Sequence, residues 1–249
     1  MGELVRLVIA DDVANITLDS QHNRNALSRQ LVSELAAALG EAVASAARAI
    51  VLGHEGPAFC AGADLKERSG DRGATDSRPF VNVLEQLMDA PVPTIAEVQG
   101  AVRAGGIGLM ASCDLVVVHS SVTFALTEVR IGVAPAIISV PILRRVPPGK
   151  IAAAMLTGEP FDAIEARSIG LITHVSDDVT ATVTALCDGV RAGAPRAVAE
   201  TKRMLREVPR LDRSTAFAAM SALSEQLFAG PDAAEGMAAF RDKRPPVWP

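Results

Sequence analysis

The 249 residues suffice for one large domain or two small ones, and 49% hydrophobic with 21% charged residues excludes a disordered chain. A formal net charge of −5, aromatics at only 3% and no Tyr speak against nucleic-acid binding by charge or by base stacking. An anionic small molecule stays open, since it needs only a local cluster of Lys and Arg.

Met1 to Arg6 lacks the basic region and apolar run of a signal peptide. The longest uncharged apolar stretch, Ile131 to Leu143, is too short for a membrane span and is broken by Pro135 and Pro141. Cys60, Cys113 and Cys187 sit among apolar residues, and His22, His54, His119 and His174 show no metal-ligand spacing. The expectation is a cytoplasmic protein with buried thiols, no metal and no membrane span.

Leu4 to Ile9 and Asn15 to Asp19 read as strands about a turn at Asp11-Asp12, and Gln21 to Asn25 as a polar turn. Ser28 is placed to cap a helix over about residues 29–47, where Leu31, Leu35, Leu39 and Val43 mark one buried face. Ala49 to Leu52 is a short buried strand. After the loop Gly53 to Pro57 comes Ala58 to Glu67 (AFCAGADLKE), small residues that leave backbone amides bare and then a helix-like run with the cationic Lys66. Glu67 to Arg78 is the most polar segment and reads as a mobile surface loop near a site rather than a domain linker. Phe80 to Met88 is a helix leading to a strand over Pro93 to Val98.

The stretch from Gln99 to Asp114 runs from that strand into a buried helix of small residues opening at Gly105-Gly106. Glycines there let another backbone or a ligand come close, and the helix turns unpaired N–H groups and its positive end toward the opening. Such a place suits a carbonyl oxygen that gains negative charge; close packing alone also explains it. Leu115 to Val118 is a buried strand, Val122 to Ala125 a short extended piece, and Thr127 caps a brief turn holding Glu128. Pro135 to Val146 is apolar and punctuated by Pro. Helices over about 148–156 and 161–168, a strand at Leu171 to Val175, and helices over about 179–192, 195–207, 212–229 and 231–242 complete the chain. Strands alternating with helices early, and helices alone late, define an α/β protein without a fixed-period repeat. Residues 1–195 are the expected core and 196–249 a helical region.

Two of these stretches carry a resemblance. Ala58 to Glu67 resembles the A-F-C-A-G-A-D-L segment of the enoyl-CoA hydratase/isomerase (crotonase) superfamily, and Val98 to Asp114 resembles its N-G-x-x-x-G-G-G helix with the same Cys-Asp ending. Asn25-Ala26-Leu27, Phe124 to Gly132 (FALTEVRIG), Leu156-Thr157-Gly158, Glu165-Ala166, Gly170-Leu171 and Gly236 to Phe240 (GMAAF) match in order, so the resemblance spans the chain. It implies a crotonase-like spiral of ββα units with a helical C-terminal region that mediates homotrimers, often as dimers of trimers. It also implies an acyl-CoA thioester substrate, with coenzyme A arriving as part of that substrate and no permanently bound cofactor.

Position by position, the family's two backbone N–H groups that form an oxyanion hole for the thioester carbonyl fall on Ala63 and Gly105. Its CoA and substrate contacts fall on Arg24, Ala26, Leu27, Ala61, Ala63, Asp64, Leu65, Lys66 and Gly105. Arg24 and Lys66 suit phosphates and read equally as solvated surface charges. Phe240 and Lys243 match positions that reach a neighbouring subunit's CoA, although a helix end with a core Phe accounts for them better. Of the two glutamates of a hydratase in this family, the second falls on Glu128; without the resemblance, a Glu in a first turn reads as favouring the helix dipole. The first falls on Gly108, which removes one carboxylate and is expected to enlarge the acyl pocket. The implied activity is hydration of a trans-2-enoyl-CoA with Glu128 as acid and base. The alternatives are a Δ3-Δ2-enoyl-CoA isomerase using Glu128 alone and a non-catalytic acyl-CoA-binding protein.

Overall fold

The opening hairpin, β1 (Val5–Ala10) and β2 (Val13–Leu18), turns on Asp11 and Asp12, both at positive φ, as a two-residue turn between twisted strands requires. The computed structural model describes residues 2–70 and 76–248. After α1 (Arg29–Ala44) the strands come in pairs: β3 (Ala49–His54) with β4 (Ala58–Cys60), β5 (Thr94–Val98) with β6 (Ala101–Arg103), and β7 (Leu115–His119) with β8 (Thr123–Ala125). The first of each pair joins a six-stranded sheet in the order β1-β2-β3-β5-β7-β10, parallel from β2 onward. The second joins a four-stranded sheet ordered β4-β6-β8-β9. Short strands β9 (Phe161–Asp162) and β10 (His174–Ser176) close the two edges. Helices α2 (Leu65–Gly70) and α3 (Arg78–Asp89) separate the first pair from the second, and α4 (Gly105–Ala111) the second from the third. This is the expected ββα spiral. Its strands start at Ala49, Thr94 and Leu115, so the turns are unequal and no sequence period betrays them.

The central strands of the large sheet are buried on both faces, which is why they read as continuous apolar runs. Ile50 and Leu52 face the main core with Leu31, Leu35 and Leu39 of α1, while Ala49 and Val51 face Val179, Val183 and Cys187 of α8 (Val179–Ala192). On α1 the Ser28 hydroxyl accepts from the Leu31 N–H, the expected cap. Val43, expected on the buried face, is 41% exposed. Each step of four residues overshoots a helical turn by about 40°, so the stripe drifts and Ala38 and Ala42 take up the contact instead.

Other expectations shift by short distances. β6 is absent from the sequence reading, and the strand expected at Leu171 to Val175 lies at β10. The helix expected from Phe161 begins at Ala163, where α7 (Ala163–Ser168) is capped by the Asp162 carboxylate. Thr127 does not cap; it is the first residue of a 3-10 turn over Thr127–Ile131 whose cap position is Leu126. The apolar run after Pro135 is helix α5 (Ala136–Arg145), formed despite Pro141 inside it. The polar stretch 67–78 begins as the end of α2, and its centre, 71–75, lies outside the described residues.

Helices α6 (Pro148–Thr157), α9 (Pro195–Glu207), α10 (Arg213–Phe228) and α11 (Pro231–Asp242) follow the expected spans closely. Among the described residues no helix is long and apolar enough to cross a membrane.

Candidate active site

Three chain segments meet at the mouth of α4. The first is the link from β2 to α1. Arg24 and Asn25 both adopt positive φ there, and the buried Asn25 amide donates to the Glu55 and Ala58 carbonyls, at 3.0 and 2.8 Å, while its Oδ1 accepts from Ser20 N–H at 2.7 Å. That staple holds the link against β4. Two backbone bonds then join it to the second segment: Ala61 N–H to Arg24 O at 3.1 Å, and Leu27 N–H to Gly62 O at 2.8 Å.

The second segment, Ala61 to Asp64, passes over α4 through Gly62 at φ +89°. A methyl group at Gly62 would lie 2.8 Å from the Ala104 Cβ and 3.4 Å from the Gly105 N, so the two segments touch here. Gly106 is pressed just as closely on Cys60: a methyl group there would lie 2.7 Å from the Cys60 Cβ and carbonyl oxygen. Small residues at these positions are required by contact. Asp64 ends the segment by accepting from Lys66 N–H at 3.0 Å and from Asn23 Nδ2 at 3.2 Å. Burial alone would raise its pKa, but these hydrogen bonds outweigh burial and hold the carboxyl below its ordinary value.

The third segment is the entry to α4. Gly105 is the first residue of this helix, after Ala104 at φ +47° and ψ −119°. Among the described residues, neither the Ala63 N–H nor the Gly105 N–H donates a hydrogen bond to the protein. Both residues line a cleft of about 970 Å³.

Glu128 enters the same cleft from the turn after β8. Burial raises its pKa above the ordinary glutamate value, against the weaker opposing pull of its own backbone amide. Its Oε2 is buried with no hydrogen-bond partner among the described residues. The same cleft is lined by the apolar residues Leu27, Phe80, Ile131, Val133, Ile137 and Ile138. An unsatisfied carboxylate oxygen in such a place is costly unless a ligand supplies its proton or partner.

The structure brings Leu27, Ala61, Ala63, Asp64, Leu65, Gly105 and Glu128 together on the cleft wall. Ala26 is buried beneath it; Arg24 and Lys66 are exposed and do not line it. Gly108 does not line it either, and it does not enlarge it. A Cβ at Gly108 would run into Ile138 Cγ2 and lie 2.5 Å from Ile138 Cβ, so Ile138 occupies the space the glycine leaves. Ile138, Phe80 and Arg29 are wall residues that the sequence reading missed. The apolar spacing of Ile137, Ile138 and Ile142 was visible, but Pro141 hid the helix that carries it.

The other groups are engaged elsewhere. Cys60 and Cys113 are buried thiols, pushed up to about 12 by burial, and neither acts as a thiolate. Among the described residues no group of three His, Cys, Asp or Glu side chains is placed to hold a metal ion.

The fold is that of a protein family. The family model for enoyl-CoA hydratase/isomerase matches residues 9–249, and the chain belongs to that family, with the crotonase fold. It is 34% identical over 250 residues to the enoyl-CoA hydratase domain-containing protein 3 of Rattus norvegicus, covering 96% of this chain and 82% of that one. It is 31% identical over 243 residues to the mitochondrial methylglutaconyl-CoA hydratase of Mus musculus, covering 92% and 77%. The crystal structure of an enoyl-CoA hydratase from Mycobacterium smegmatis superposes with a TM-score of 0.91 at 29% identity, covering 98% of both chains.

Proposed function

We propose that the cleft binds an enoyl-CoA thioester and that Glu128 moves a proton at C2, the carbon next to the thioester carbonyl. The observation that carries this reading is the partnerless, buried Glu128 Oε2 in the same cleft as two unpaired backbone N–H groups. The Ala63 and Gly105 amides act as the oxyanion hole: they donate to the thioester oxygen and stabilise the negative charge that forms there. Backbone donors at a helix start need no reorganisation as that charge develops. Leu27, Ala61, Asp64 and Leu65 flank the CoA arm above the buried Ala26, with Arg24 and Lys66 as exposed cations toward its phosphates. Coenzyme A comes and goes with the substrate.

In the hydration reading, the Glu128 carboxylate takes a proton from water while the water oxygen bonds to C3 of a trans-2-enoyl-CoA. The electron pair moves onto the thioester oxygen, and the same proton then returns to C2. The names of the relatives support this reading. A second reading has its own observation: with Ile138 packed on Gly108, no carboxylate stands at the position of a hydratase's first glutamate. Glu128 alone meets the needs of a Δ3-Δ2-enoyl-CoA isomerase, taking a proton from C2 of the 3-enoyl thioester and returning it to C4. Purified protein given each substrate separately distinguishes them. Loss of the conjugated-thioester absorbance from the 2-enoyl substrate marks hydration, and its appearance from the 3-enoyl substrate marks isomerisation. Tight acyl-CoA binding with neither change would assign a non-catalytic binding role. The exposed apolar residues of α10 and α11 support assembly into homotrimers or dimers of trimers.

A further inference from the structure

Ile138 sits on the first turn of α5 and is 3% exposed, yet it forms part of the cleft wall. Behind it stands Gly108 on α4, completely enclosed, with its missing Cβ replaced by the Ile138 side chain. The branched end of Ile138 thus separates the α4 backbone from the cleft, and the two residues are complementary in volume. Other lining residues, among them Val133, Ala134 and Ile137, belong to the loop and helix that follow Glu128's turn, tied back by the Val133 N–H to Glu128 O bond at 3.1 Å.

We propose that Ile138 is the specificity-determining residue of the acyl end: seated on Gly108, it keeps that part of the cleft wall flush and selects unbranched acyl chains. This inference rests on the acyl-CoA reading of the cleft. Shortening Ile138 opens a niche that reaches down to Gly108, lined by α4 backbone and apolar side chains. That niche accepts a methyl branch on the acyl chain, whereas the intact wall meets the branch with Ile138 carbon atoms. A methyl group's worth of fit in an apolar pocket is a discrimination of about tenfold or more.

The test compares binding of a saturated straight-chain acyl-CoA and its methyl-branched isomer, by calorimetric titration, to wild type, Ile138→Ala and Ile138→Val. Because the probes are saturated, the readout does not depend on turnover. The expected result is a straight-chain preference in wild type that shifts toward the branched probe by about tenfold in Ile138→Ala, with Ile138→Val between them. An unchanged preference in a folded Ile138→Ala overturns the proposal while leaving the acyl-CoA reading standing. Failure of wild type to bind either probe overturns the reading beneath it, and the proposal with it. Complementarity has its own check. Gly108→Ala lowers the melting temperature by about 5 °C, and combining it with Ile138→Ala lowers it by less than the sum of the two single changes. Equal melting temperatures for wild type and Gly108→Ala would show that the pair is not tightly packed, and would overturn the proposal.

Discussion

At residue 128, a carboxyl is held where burial favours its neutral form. The folded-state pKa lies above the unfolded one, so the cost is absent at low pH, where both states are protonated. It grows as pH rises from the ordinary glutamate value to the raised one and is complete above that. Glu128→Gln is therefore expected to raise the melting temperature at about pH 8 and to leave it unchanged near pH 4; equal shifts at both would contradict this environment. A catalytic role adds that the acidic limb of kcat/KM lies above the ordinary glutamate range, since the base form is the active one. Ala104 holds a second strained position, at φ +47° and ψ −119°, where glycine is the favoured residue. Ala104→Gly is expected to stabilise the protein by about 1 kcal/mol in denaturant unfolding, and a loss of stability would show that the Ala104 methyl contributes more by packing than it costs. These residues differ in how legible they were. Glu128, Ala63 and Gly105 were visible as motif positions, but Gly108 was misread as open space, because the side chain that fills it comes from another helix, α5, packed directly on α4.

Elements were legible where one periodicity ruled. The leucine stripe and Ser28 cap of α1, the apolar runs of β3 and β7, and the late helices appeared near their true spans. β6 was lost because three residues are too few for alternation to show, and α5 because Pro141 argues locally against a helix that tertiary packing supports. Long-range ties were invisible. Lys202 of α9 reaches the end of α4, where its Nζ pairs with Asp114 Oδ2 at 2.8 Å and donates to the Val92 carbonyl at 3.0 Å. Arg145 adds hydrogen bonds to the Ala111 and Cys113 carbonyls beside it. Together they fix the C-terminal end of the helix whose start carries Gly105. Lys202→Met leaves Asp114 without its cation and is expected to lower unfolding free energy by about 3 kcal/mol in urea. A change under 1 kcal/mol would mean that Thr94, which donates to the same carboxylate, suffices alone.

On the scale of the whole molecule, the apolar surface is unevenly spent. The spiral buries the phenylalanines Phe59, Phe124 and Phe161, whereas α10 and α11 expose Phe217 and Phe228 at 69% each and Phe240 at 89%. Phe240 is not the core residue that its place in a helix end suggested. Exposed aromatics on adjacent helices are the usual mark of an interface. The proposed homotrimer predicts a sedimentation mass three or six times that of one chain; a monomer across the micromolar range would contradict it. The overall architecture was legible through ordered motifs, not through a repeat, because turns of unequal length preserve the strand pairing and erase the period.

The most direct test of the account is Glu128→Gln beside wild type, with the enoyl-CoA that wild type turns over and a saturated acyl-CoA for binding. The account predicts a kcat lower by about 10²–10⁴-fold with the acyl-CoA dissociation constant nearly unchanged. Full activity in the Gln variant would contradict it, since the buried carboxylate would then take no part in moving the proton.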